Sequence, residues 1–119
     1  MIKAYKIFTG ADGHSHVVEG TVLEDHLSNA SSIRFKETPA HSSYDWHPAP
    51  TIQYVITLSG TLKFTMHSGK TFTIKTGDIL IAMDTSGSGH KWQLTDDQPW
   101  KRAYVTFGDN REINFKEND

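Results

Sequence analysis

Trp46-His47-Pro48-Ala49-Pro50-Thr51-Ile52-Gln53-Tyr54-Val55-Ile56-Thr57-Leu58-Ser59-Gly60 carries a histidine and an amide into the start of an apolar strand that ends at a glycine turn. Side chains alternate faces along a strand, so Gln53, Val55 and Thr57 share one face while Ile52, Tyr54, Ile56 and Leu58 share the other. Carried back through the loop, the same parity adds Ala49 and His47 to the Gln53 face, which is the expected wall of a pocket. The opposite face is apolar and needs a cover.

Outward from this stretch, short alternating runs follow one another, separated by Gly, Asp, Ser and Pro, and no apolar spacing of helical period is sustained. Downstream, strands are expected at 61–67, 71–75, 79–83, 90–95 and 100–107. Upstream, residues 2–8 and 14–23 read as strands, the second interrupted at Gly20, and 24–31 as a polar connection. Residues 32–37 alternate Ile33 and Phe35 with Arg34 and Lys36, a half-buried strand, and the prolines of 38–50 mark a loop or edge. A last short strand is expected at 113–115. About nine strands joined by short turns indicate an all-β sandwich or barrel.

The 119 residues suffice for one domain, with a core at 31–107 on which N-terminal strands 2–23 and a C-terminal tail 108–119 pack. Twelve basic and fourteen acidic side chains give a net charge of -2 without a run of either sign, which argues against a nucleic-acid partner. No window has the roughly twenty apolar residues of a membrane span. The start lacks the apolar stretch of a secretory leader, so the expected location is cytoplasmic and no membrane partner is expected. With no cysteine, disulfides, thiolate metal sites and thiol nucleophiles are excluded. The strands at 52–58 and 79–81 read as apolar on both faces, which points to a homodimer.

The spacing His47-x-Ala49-x3-Gln53-x6-Gly60 resembles the first motif of the cupin superfamily, G-x5-H-x-H-x3,4-E-x6-G, with Ala49 in place of its second histidine and Gln53 in place of its glutamate. The second motif begins at Gly77-Asp78-Ile79 and ends at His90, with two residues inserted before that histidine and Met83 where a proline would stand. The wording W-H-P-A-P-x-x-Q-Y-V and D-T-x-G-x-G-H is also similar to small single-domain bacterial cupins. The resemblance implies a jelly-roll barrel. It further implies that His47, Gln53 and His90 occupy three of four positions that hold a divalent metal such as zinc, iron, manganese or nickel.

His47 and His90 converge from two separate motifs, as a site requires, and are the candidate catalytic residues for acid–base chemistry of isomerase or lyase type. The alternative is a pair of interior histidines satisfied by the backbone. Gln53 either orients a ligand carbonyl or hydroxyl or ties two strands together; Trp92, sharing a face with His90, either lines the cavity or packs as core. The loop from Asp84 to Gly89, with Asp84 and Thr85 as candidate ligand contacts, reads as a lid or as a long turn. His14, His16 and Glu19 read as a solvated strand, and His26, His41 and His67 as surface. Two functions stay open: a barrel binding a small polar organic ligand, with acid–base activity and with or without a weakly held divalent metal, or a non-catalytic, metal-free module for a small molecule.

Overall fold

The computed structural model describes residues 1–107 and 112–118; residues 108–111 and 119 of the expected tail lie outside the described residues. Eleven strands follow in order: β1 (Ile2–Thr9), β2 (Ser15–Val22), β3 (Ser32–Thr38), β4 (Ser43–His47), β5 (Gln53–Ser59), β6 (Leu62–Thr65), β7 (Thr71–Ile74), β8 (Ile79–Met83), β9 (His90–Leu94), β10 (Trp100–Thr106) and β11 (Lys116–Glu117). They form a seven-stranded sheet, β11-β2-β1-β8-β5-β10-β3, and a four-stranded sheet, β4-β9-β6-β7. All pairs are antiparallel except β1 with β8.

The all-β expectation thus stands, but the cupin-type jelly-roll barrel does not. No strand is shared between the sheets, and each among the described residues ends in two free edges rather than closing on itself. A barrel requires continuous hydrogen bonding around its circumference. With that closure missing, the resemblance to cupins no longer supports the fold.

The two sheets instead hold the core between their inner faces. Tyr5 of β1 stacks on Phe72 of β7 at 5.0 Å, and Trp92 of β9 meets Trp100 of β10 edge to face at 4.9 Å. Ile7, Leu62, Phe64, Met66 and Ile74 are fully enclosed there, each contributing about 1.5–3 kcal/mol relative to an exposed position. No helix among the described residues is long and apolar enough to cross a membrane.

Local departures from the expected strands have visible causes. Residues 43–47 form a strand because Pro39, Pro48 and Pro50 flank it rather than interrupt it. β2 runs unbroken through Gly20, where a Cβ would overlap the Lys116 carbonyl and the Phe115 ring, so the glycine admits β11 alongside. The last strand is Lys116–Glu117 rather than 113–115. Residues 112–115 instead help cover the outer face: the Asn114 N–H donates to the Tyr54 hydroxyl at 2.9 Å, and Asn114 also holds Leu23 through both its amide groups.

β3 departs furthest. Ile33 and Phe35, expected on a buried face, are 60% and 69% exposed, while Arg34 and Lys36, themselves exposed, line the opening between the sheets. Residues directly opposed in an antiparallel pair share a face. Trp100, Arg102 and Tyr104 of β10 face inward, so their partners Thr38, Lys36 and Arg34 do as well.

Candidate functional site

Between the sheets lies a cleft of about 440 Å³, within the range of small-molecule sites. His47, Gln53, His90 and Trp92 all line it; Asp84 and Thr85 do not. Asp84 is buried behind His90, and Thr85 is exposed.

One end of the cleft is built on the two histidines. β4 and β9 pair so that His47 stands opposite His90, after an irregularity in the ladder beyond Tyr44. The approach depends on Gly89, whose φ of 74° lies in the left-handed region and whose absent side chain leaves room for the His47 carbonyl. The rings end 4.7 Å apart between centroids. His47 donates Nδ1–H to the Asp45 carbonyl oxygen at 2.7 Å, and His90 donates Nδ1–H to Asp84 Oδ2 at 2.6 Å. In both rings Nε2 is then the nitrogen left to a ligand, and in the neutral imidazole it accepts a hydrogen bond.

Asp84 is held as firmly as the ring it orients. Its Oδ2 also accepts from Ser15 Oγ at 2.6 Å, and its carbonyl accepts from the Ala49 N–H at 2.9 Å. The carboxylate is wholly enclosed, and Oδ1 has no partner. Burial holds the His47 pKa below the ordinary imidazole value, with the neighbouring His90 acting in the same direction; the Asp45 carbonyl and Asp84 oppose them.

Among the described residues no three His, Cys, Asp or Glu side chains gather into a group able to hold a metal ion. The expected zinc, iron, manganese or nickel site on His47, Gln53 and His90 is therefore corrected. Ala49 offers no ligand, Gln53 offers a neutral amide, and Asp84 is turned to the back of His90, so the donors fall short of ordinary divalent sites in number and charge. The reading of a ligand-binding barrel with a divalent metal is therefore corrected on both counts, the barrel and the metal.

No protein-family model matches the chain, and no curated protein gives a significant match.

The other end of the cleft was not anticipated from the sequence. Arg102, 3% exposed, lies 3.7 Å above the Trp100 ring and donates from Nε to the Tyr104 hydroxyl at 2.9 Å. Its Nη1 donates to Thr38 Oγ1 at 2.6 Å and to the Trp100 carbonyl at 3.1 Å. Arg34 sits 4.6 Å from the Tyr104 ring, and Lys36 stands opposite Arg102 across the β3–β10 ladder. The only signal available was the alternation Trp100-Arg102-Tyr104, which places an arginine among inward-facing aromatics.

The remaining histidines lie elsewhere. His14 bonds Ser88, His16 pairs with Asp12 at 3.0 Å, His26 approaches Glu112 at 3.9 Å and His41 pairs with Asp97 at 2.9 Å. His67 stacks between Trp46 and His14.

Proposed function

We propose that the chain is a non-catalytic, metal-free binding module that holds one small polar organic molecule in the cleft between its sheets. The observation that carries this reading is Gln53. It is 4% exposed and lines the cleft, its side-chain amide has no hydrogen-bond partner among the described residues, and it is not sealed off as Asp84 Oδ1 is, so the amide opens to the cleft. An amide open to the cleft offers two donors and an acceptor there, and a ligand carbonyl or hydroxyl would pair with it in place of water. His47 and His90 contribute acceptors beside it, Trp92 an apolar wall, and Asp84 acts through His90.

The test is a screen of small polar compounds by thermal shift, with each hit mapped by NMR. Hits that move His47, Gln53, His90 and Trp92 resonances and are recovered unchanged after incubation support the reading. Hits that map elsewhere, or that are converted, overturn it.

The homodimer belongs to the same proposal, on the outer face of the seven-stranded sheet to which Tyr54, Ile56 and Ile81 belong, but nearer the β3 edge. On that face Tyr54 and Ile81 are buried, whereas Ile33, Phe35 and Leu58 are exposed near the β3 edge, bordered by Glu37 and Lys101. Opposite charges flanking an apolar patch let the patch complement itself about a twofold axis. Sedimentation of the parent as a dimer and of Phe35→Lys as a monomer is the expected result; a parent that stays monomeric at all concentrations refutes it.

A further inference from the structure

The cationic end of the cleft says what kind of molecule the cleft takes. Arg34, Lys36 and Arg102 all line it, and among the described residues no aspartate or glutamate does. The four ion pairs among the described residues all join a histidine to an acid, so none of these three cations has an anionic partner there. Lys36 and Arg102 are directly opposed across the ladder, an arrangement of like charges that destabilises a sheet. One residue over, on the outer face of the same two strands, Lys101 is opposed to Glu37. The strand pair thus matches charges where it faces outward and leaves them unmatched where it faces the cleft.

A guanidinium as enclosed as that of Arg102 loses much of its hydration. Its bonds to Tyr104, Thr38 and Trp100 engage Nε and Nη1 only, and each of these partners is neutral. Nη2 is left for a ligand, and an oxyanion is the group whose geometry and charge suit a guanidinium fork.

We propose that the ligand is a small organic oxyanion, a carboxylate or phosphate seated on Arg102 between Arg34 and Lys36, whose body extends along Trp100 and Trp92 and carries a hydroxyl or amide donor to His47 and His90. This rests on the cleft being the binding site. It adds the charge of the ligand and the direction in which it lies.

The experiment uses the full chain with 4-hydroxybenzoate, phenyl phosphate and the neutral 4-hydroxybenzamide as probes, followed by tryptophan fluorescence and by NMR shifts of cleft residues. The acid is expected to bind about tenfold or more tightly than the amide, and Arg34→Gln/Lys36→Gln to remove that preference, since charge-assisted hydrogen bonds are lost. The ratio between benzoate and phosphate separates the two oxyanions.

Arg102→Gln tests the buried member, and the exposed pair keeps the test independent of whether that variant folds. Without any probe, Lys36→Gln is expected to raise the melting midpoint by roughly 1–5 °C by relieving like-charge repulsion, whereas a purely structural lysine would give a fall. Equal affinity for acid and amide, or a lowered midpoint, overturns the oxyanion and leaves the cleft as a neutral site. Failure of all three probes to perturb the cleft overturns the binding reading with it.

Discussion

Replacing Asp84 by alanine should cost more stability than most single substitutions in this chain. The carboxylate is wholly enclosed and accepts two hydrogen bonds on Oδ2, from Ser15 Oγ and from His90 Nδ1, each 2.6 Å long. A hydrogen bond to a charged group contributes about 1.5–3 kcal/mol, and its loss here leaves two buried donors unpaired. Against this, the substitution removes Oδ1, which has no partner, and with it a desolvation cost of about 1–3 kcal/mol. The balance is a loss of about 2–4 kcal/mol. For 119 residues the unfolding entropy near the midpoint is about 0.25 kcal/mol/K, so the melting midpoint should fall by about 8–16 °C.

Thermal melts by circular dichroism on the parent, Asp84→Ala, Ser15→Ala and the double variant measure this directly. Ser15→Ala alone removes one donor and should cost about 1.5 kcal/mol. In the double variant the effects should fall short of additive by about 1 kcal/mol or more, because the serine has nothing left to bond once Asp84 is gone. A midpoint for Asp84→Ala within about 3 °C of the parent, or strict additivity, would refute the assignment of Asp84 as the shared acceptor. A second readout separates orientation from stability: nitrogen shifts of His90 should show Nδ1–H in the parent and a mixture of tautomers in Asp84→Ala.

Two other outcomes are expected. Folding depresses the His47 pKa below its ordinary 6.5, so on acidification the unfolded chain takes up this proton first; the stability this group provides is complete above about 6.5 and is lost as the pH falls through that value to the folded pKa. Urea titrations across that range should show a smaller loss in His47→Gln than in the parent, and identical slopes would refute the burial of His47. Gly89→Ala places a Cβ on the His47 carbonyl at a positive φ, so it should destabilise by more than the roughly 1 kcal/mol of an unstrained exchange and shift the NMR signals of both His47 and His90; a variant with the parent's melt and spectrum would refute the close approach of β4 and β9.

Much of the strand pattern was legible because it is local. Alternation and glycine turns mark β5 to β10 within a residue or two, and Leu62, Phe64 and Met66, which share a parity, are all buried. Residues 47 and 90 were expected together because each stands in one of two separate motifs at a strand end, and β4 and β9 pair them. What depends on distant partners was not readable. Whether β4 closes against β3 or pairs only with β9 leaves no trace in either strand, so a barrel and two open sheets read alike. In β3 the alternation Ile33-Arg34-Phe35-Lys36 defines two faces without saying which looks inward. Solvent normally takes the charged face, but here the register with Arg102 and Tyr104 turns it into the cleft.

That inversion also explains the division of labour within the cleft. The histidine end is pinned by short hydrogen bonds to Asp45 and Asp84, groups of the fold itself, so its acceptors are fixed before anything binds. The opposite end places Arg34 and Lys36 on an edge strand with one hydrogen-bonded neighbour and Arg102 on the strand beside it. Solvent screens the two exposed cations and barely reaches the enclosed one, so on the oxyanion proposal Arg34 and Lys36 would draw an anion toward the mouth and Arg102 would hold it. With Asp84 behind the histidines at one end and three cations lining the other, the proposed ligand would be admitted in one orientation and disfavoured in the reverse.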